Sequence, residues 1–230
     1  MLREAAFYKD LYGYFDWLNG EILRRAQSEL ASKSALIQDG DFDRLFKIIS
    51  GQMGQAALEG VAGGSDDLFK MFGFDMDWTG ANTDASKWAM QHAGDLVKRI
   101  KQTTRDRINT AVSAYVDNAQ TFGDLQRSLT DIIRNPQRAA TIAQTEITRA
   151  FARGNELAWR ESGIVQGKEW RTNNDEIVCP ICKPLNHQRV ALDDSFGVSV
   201  FDEPMTAPPA HPNCRCWAVP ISTYRKRNGW

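Results

Sequence analysis

The chain has 230 residues, 28 Lys and Arg against 29 Asp and Glu, a formal charge of -1, and side chains that are 42% apolar and 25% charged. That balance is typical of a globular protein with enough material for a buried core, and it argues against a collagen-like fibre, a disordered tail and a strongly basic histone-like protein. Apolar runs are only a few residues long and Met1-Leu2-Arg3-Glu4 lacks a basic-then-apolar leader pattern, so neither a membrane span nor a secretion signal is expected.

The first three-quarters reads as helix. Phe7, Leu11, Tyr14, Phe15, Leu18, Ile22, Ala26 and Leu30 recur at spacings of three and four, the stripe of one long amphipathic helix that Gly13 and Gly20 weaken. Phe42, Leu45, Phe46, Ile49, Met53 and Ala57 form a second stripe, which Gly63-Gly64-Ser65 is expected to end. Residues 66–87 read as a loop crowded with Phe69, Met71, Phe72, Phe74, Met76 and Trp78. Such a cluster either packs on the chain's own helices or anchors a partner, and Phe72, Phe74 and Trp78 are the candidate docking residues.

Ser86 is placed as the cap of a helix starting near Lys87, with Trp88, Leu96, Ile100, Ile108, Val112 and Tyr115 on its apolar face. Its other face carries Lys98, Arg99, Lys101, Arg105 and Arg107. These five are candidate nucleic-acid contacts, since phosphates attract such a face. Thr121 with Asp124 has the spacing of a capping box, and Asn135-Pro136 that of a helix start. The last helix should run through Ile142, Ala143, Ile147, Ala150 and Leu157 and stop at Gly163. Glu146 falls on its inward face, where an unpaired carboxylate is costly, so it is read as a structural pin between helix and module, its partner being Arg149 or Arg153 of the same helix or an Arg of the metal module.

After Gly163 the character changes. Seven of the eight prolines lie at or beyond Pro180, excluding long helices. Val165 to Thr172 and Cys216 to Ile221 read as short strands, with Trp170 and Trp217 as large buried groups. The expected architecture is α+β: a helical arm over 1–85, further helices over 86–163, and a small loop-rich module over 164–230. A module of that kind needs a staple.

The four cysteines supply one. Cys179-Pro180-Ile181-Cys182 is a C-x2-C knuckle, and His211-Pro212-Asn213-Cys214-Arg215-Cys216 offers three more donors. Zinc takes four thiolate or imidazole ligands in a tetrahedron. Cys179 and Cys182 form one side, while the other is either Cys214 with Cys216 or His211 with Cys214. A surplus of donors favours a closed structural Zn2+ over a catalytic ion with an open position. Asp202, Glu203 and Glu169 have no spacing that assigns a general base, and no phosphate loop, nucleophile elbow or dinucleotide fingerprint occurs, so an enzyme is not expected.

The order of these features resembles a known family. Ala139-Ala140-Thr141-Ile142-Ala143-Gln144-Thr145-Glu146 with Ala150 and Gly154, then Trp170, then the Cys179–Cys182 knuckle with Leu185, then Pro208-Pro209-Ala210-His211-Pro212-Asn213-Cys214-Arg215-Cys216 and Pro220, is similar to the phage Mu F-like minor head proteins, the phage head morphogenesis domain. The likeness covers roughly residues 86–221. It departs at Gln144, where a basic residue is frequent, and at His187, where a glycine is frequent. The resemblance implies a minor capsid protein in the virion head of a tailed phage, at the portal vertex or in the head interior. It implies the portal or major capsid protein as partners, packaged DNA in some cases, and a role in head assembly, DNA packaging or ejection. The alternative reading is a nucleic-acid-binding zinc module.

Overall fold

The computed structural model describes residues 2–29, 36–173, 178–201 and 203–222; Leu30, expected on the first stripe, and Asp202 lie outside them. Five helices precede a small sheet: α1 Leu2–Glu29, α2 Asp41–Phe72, α3 Thr79–Asp117, α4 Phe122–Ile133 and α5 Pro136–Ser162, then β1 Val165–Arg171, β2 Arg189–Ala191 and β3 Trp217–Ser222. The strands are antiparallel in the order β2-β1-β3. The expected α+β class is observed.

Periodicity predicts α1 well. Phe7, Leu11, Tyr14, Phe15, Leu18 and Ile22 are fully buried, and the helix runs through Gly13 and Gly20 unbroken. Each such side chain contributes about 1.5–3 kcal/mol by leaving water. The caps also form as read. Thr121 and Asp124 make a reciprocal capping box on α4. Asn135 Oδ1 accepts from the Arg138 amide at 2.8 Å, starting α5, and Gly163 at φ +65° ends it.

Two helix boundaries differ from expectation. α2 does not stop at Gly63-Gly64; it continues to Phe72. A Cβ on Gly60 would lie 2.1 Å from the Phe151 carbonyl oxygen, and one on Gly154 would lie 2.0 Å from that of Ala57. Gly63 and Gly64 similarly face Phe151 and Asn155. These glycines let α2 and α5 approach at backbone contact, and packing offsets the propensity loss of about 1 kcal/mol each. α3 starts at Thr79 rather than near Lys87, and Ser86 is not its cap. Asp77 accepts from the amide and hydroxyl of Thr79, while Ser86 Oγ donates to the Asn82 carbonyl inside the helix. Ala81, Ala85 and Ala89 are the buried face of this first stretch, a stripe too small to register as an apolar pattern.

The chain divides into two units, residues 1–52 with 91–143 and residues 53–90 with 144–230. This division does not follow the breaks read at 85 and 163, because α2, α3 and α5 each contribute to both units. In the first unit, Arg25 holds Asp41 through two bonds of 2.6 and 2.8 Å, both side chains being buried. In the second, Trp159, Leu68, Val165, Leu192 and Ala218 form a core, and Phe72, Phe74 and Trp78 pack half-buried against it. The residues read as docking anchors therefore pack on the chain's own core, and the exposed large apolar groups of that stretch are Phe69 and Met71.

Candidate metal centre

The C-x2-C segment forms a tight turn. The Cys182 amide donates to the Cys179 carbonyl at 3.1 Å and approaches its Sγ at 3.3 Å, and Lys183 donates to the same carbonyl. Pro184 then helps set the short 3-10 turn Lys183–Leu185. The second arm comes from residues 210–216, just before β3. Its Cys214 amide donates to the His211 carbonyl at 3.2 Å. Asn213 adopts φ +60°, and its amide donates to Thr145 Oγ1 of α5 at 3.1 Å.

The two arms meet. His211 Nε2 lies 3.0 Å from Cys179 Sγ and 3.1 Å from Cys182 Sγ, and Cys182 Sγ lies 3.7 Å from Cys214 Sγ. The five donors form two overlapping triads, Cys179–Cys182–His211 and Cys182–Cys214–Cys216, which share Cys182. All four cysteines are free thiols. Tetrahedral zinc with thiolates at about 2.3 Å holds two sulfurs about 3.8 Å apart, so the Cys182–Cys214 separation suits it. His211 Nδ1 lies 2.8 Å from the Pro212 carbonyl oxygen, which can only accept. The ring proton therefore sits on Nδ1, and the Nε2 lone pair faces the sulfurs as a ligand's would.

Cys182, Cys214 and Cys216 are buried among Trp170, Phe196, Met205 and Ala210. The Trp170 indole stacks edge-on against Phe196 with centroids 5.2 Å apart. The Cys182 thiol, then that of Cys216, donate toward Cys214 and push it down to about 2, while Cys214 pushes Cys182 far up. The thiolate this favours is Cys214, in an apolar pocket where a soft divalent cation would neutralise its charge. A cavity of about 40 Å³ adjoins Cys179, Cys182, His211 and Cys216. It has room for an ion.

Glu146 is buried and pairs with Arg149 at 3.4 Å, and Arg149 also reaches Glu203 at 3.3 Å. Arg153 pairs instead with Glu156. Trp170 is fully buried, whereas Trp217, expected inside, is 43% exposed because it sits on the outward side of the sheet's edge strand β3. On α3, Lys98 pairs with Asp95 at 3.0 Å and Lys101 with Asp39 at 2.6 Å, with Arg105 nearby at 3.7 Å, while Arg99 and Arg107 line a cleft.

Sequence reasoning missed two charged networks. Lys168 Nζ of β1 donates to Glu156 Oε1 of α5 at 2.6 Å, and both side chains are fully buried. Glu169 receives His187 at 2.9 Å, Arg189 at 2.8 Å and Arg171 at 2.9 Å. Burial raises the Glu169 carboxyl, but these partners more than offset that and leave it below the usual carboxylate range. His187 takes φ +66° here, the left-handed conformation that glycine adopts freely. No sequence signal marks these pairs, since partners 12 and 18 residues apart show no shared period.

A family model described as Phage Mu protein F like protein matches residues 106–219, a stretch that contains all five metal donors. No curated protein and no solved structure matches the chain.

Proposed function

We propose that this chain, which belongs to the Phage Mu protein F like family through residues 106–219, is a minor component of a phage head whose C-terminal module is held by one structural zinc ion. The family supports the head morphogenesis role. The observation that carries the zinc reading is the convergence of two donor triads on Cys182. Cys179, Cys182, His211 and Cys214 would hold the ion, with Cys216 as the surplus donor. Bound zinc would supply cross-linking of two loop tips and no chemistry on a substrate. His211 keeps its lone pair toward the sulfurs, and the Cys182 amide donates toward Cys179 Sγ at 3.3 Å.

The role is read as structural rather than catalytic. The cavity at the donors is ion-sized, and Glu169 is saturated by three basic partners. Association with the portal vertex, and through it with packaged DNA, is the finer form of the proposal. No helix among the described residues is long and apolar enough to cross a membrane.

Cryo-electron microscopy of particles with and without the chain tests this. Extra density at one vertex supports the portal form. Density spread over the shell refutes the portal form, and absence from purified heads refutes the head role.

A further inference from the structure

Zinc held by Cys179, Cys182, His211 and Cys214 leaves Cys216 as a thiol without a metal bond. Cys216 is nonetheless close to two of those ligands. Its Sγ lies within 4.8 Å of the sulfurs of Cys182 and Cys214, which are themselves 3.7 Å apart. A tetrahedral staple needs no third sulfur there.

Position distinguishes the three. Cys214 and Cys216 belong to the same arm, just before β3, whereas Cys182 comes from the opposite arm. Cys182 and Cys216 both line the cavity of about 40 Å³, and Cys214 is not among its lining residues. Cys216 is only 9% exposed and packs in the cluster of Trp170, Phe196 and Met205, so the cavity is its approach for a small molecule. A space of that volume admits a molecule little larger than water. Hydrogen peroxide is such a molecule.

We propose that Cys216 is an oxidation-sensing thiol that opens the staple by forming a disulfide with Cys182. This role rests on the zinc reading, in which Cys216 is the surplus donor. The oxidant is a small hydroperoxide. Its O–O bond breaks as the Cys216 sulfur takes one oxygen, giving a sulfenic acid and, from hydrogen peroxide, water. The Cys182 sulfur, a thiolate while it is a zinc ligand, attacks the Cys216 sulfur. The S–S bond forms, the S–O bond breaks and hydroxide leaves, so the two sulfurs together lose two electrons to the peroxide. Cys182 is thereby withdrawn from the donor set, and it is the donor common to both triads. Cys179, His211 and Cys214 remain, too few to close a tetrahedron. A thiol reductant reverses the step by attacking the disulfide.

The test uses the purified full chain loaded with zinc, treated with hydrogen peroxide beside a chromophoric zinc chelator, then digested and mapped by mass spectrometry. The parent is expected to release zinc as a Cys182–Cys216 disulfide forms, and dithiothreitol with added zinc should restore the loaded state. C216S keeps all four ligands and should release zinc several-fold more slowly. Circular dichroism and zinc content report whether C216S folds, and the disulfide map of the parent decides the pairing without any variant. Equal release from the parent and C216S, a map showing Cys179–Cys182 or Cys214–Cys216 instead, or loss that dithiothreitol does not reverse overturns the proposal. A chain that takes up no zinc overturns the zinc reading as well, whereas a loaded chain with no such response overturns this proposal alone.

Discussion

Replacing Lys168 by Met removes one member of an ion pair whose two side chains have no solvent exposure. Removing one partner of a buried pair costs about 3–5 kcal/mol, because the remaining charge loses its compensation. Glu156 keeps Arg153 at 2.8 Å after this change, which places K168M toward the lower end. E156L belongs at the upper end, since Lys168 Nζ is then left with the Phe196 ring, 5.9 Å away, and no carboxylate. For a chain of this length each kcal/mol shifts the melting temperature by about 2–4 °C, so the single variants should lose about 6–20 °C. The double variant K168M/E156L should return to within about 2 kcal/mol of the parent. Apolar groups of similar volume replace the pair, and Arg153, 31% exposed, can turn to water. Thermal melts and urea titrations at matched metal content read all four proteins, and the cycle isolates the coupling. A K168M melt within 2 °C of the parent, or a double variant no more stable than E156L, would refute the pairing.

Metal analysis of the purified chain should find one zinc per chain. C182S, which removes the donor common to both triads, should abolish it; H211A should lose it and C216S retain it, and full zinc in C182S would sink the site. G60A and G154A force a Cβ into opposing backbone and should destabilise by about 1–3 kcal/mol or more, while G13A and G51A, which meet nothing within 4 Å, should gain a few tenths to about 1 kcal/mol. A melt of G60A equal to the parent would show that the α2–α5 approach is looser than described. Glu169 has a lowered carboxyl value in the folded chain, so its contribution is complete above the unfolded value and vanishes as pH falls through the folded one. The stability gap between the parent and E169Q should therefore be widest near neutral pH and shrink below about pH 4; a constant gap down to pH 3 would contradict the carboxylate's role.

Local periodicity and local chemistry determined α1, the capping box on α4, the Asn135-Pro136 start and Gly163 end of α5, and the knuckle at Cys179–Cys182. Each of these depends on residues within a turn or two of one another, so spacing alone reveals it. The same spacing brought five metal donors into view and left open which four act together. Tertiary structure decided what depends on distant partners. His211 meets Cys179 across 32 residues, with its proton drawn away by Pro212. Gly60 and Gly154 look like helix defects until each is seen against the other helix's backbone. Ala81, Ala85 and Ala89 become a core face only when another element covers them, and Lys168 can be buried only because Glu156 stands opposite. Such features take their energy from close approach of segments far apart in the chain, and no period in the sequence records that distance.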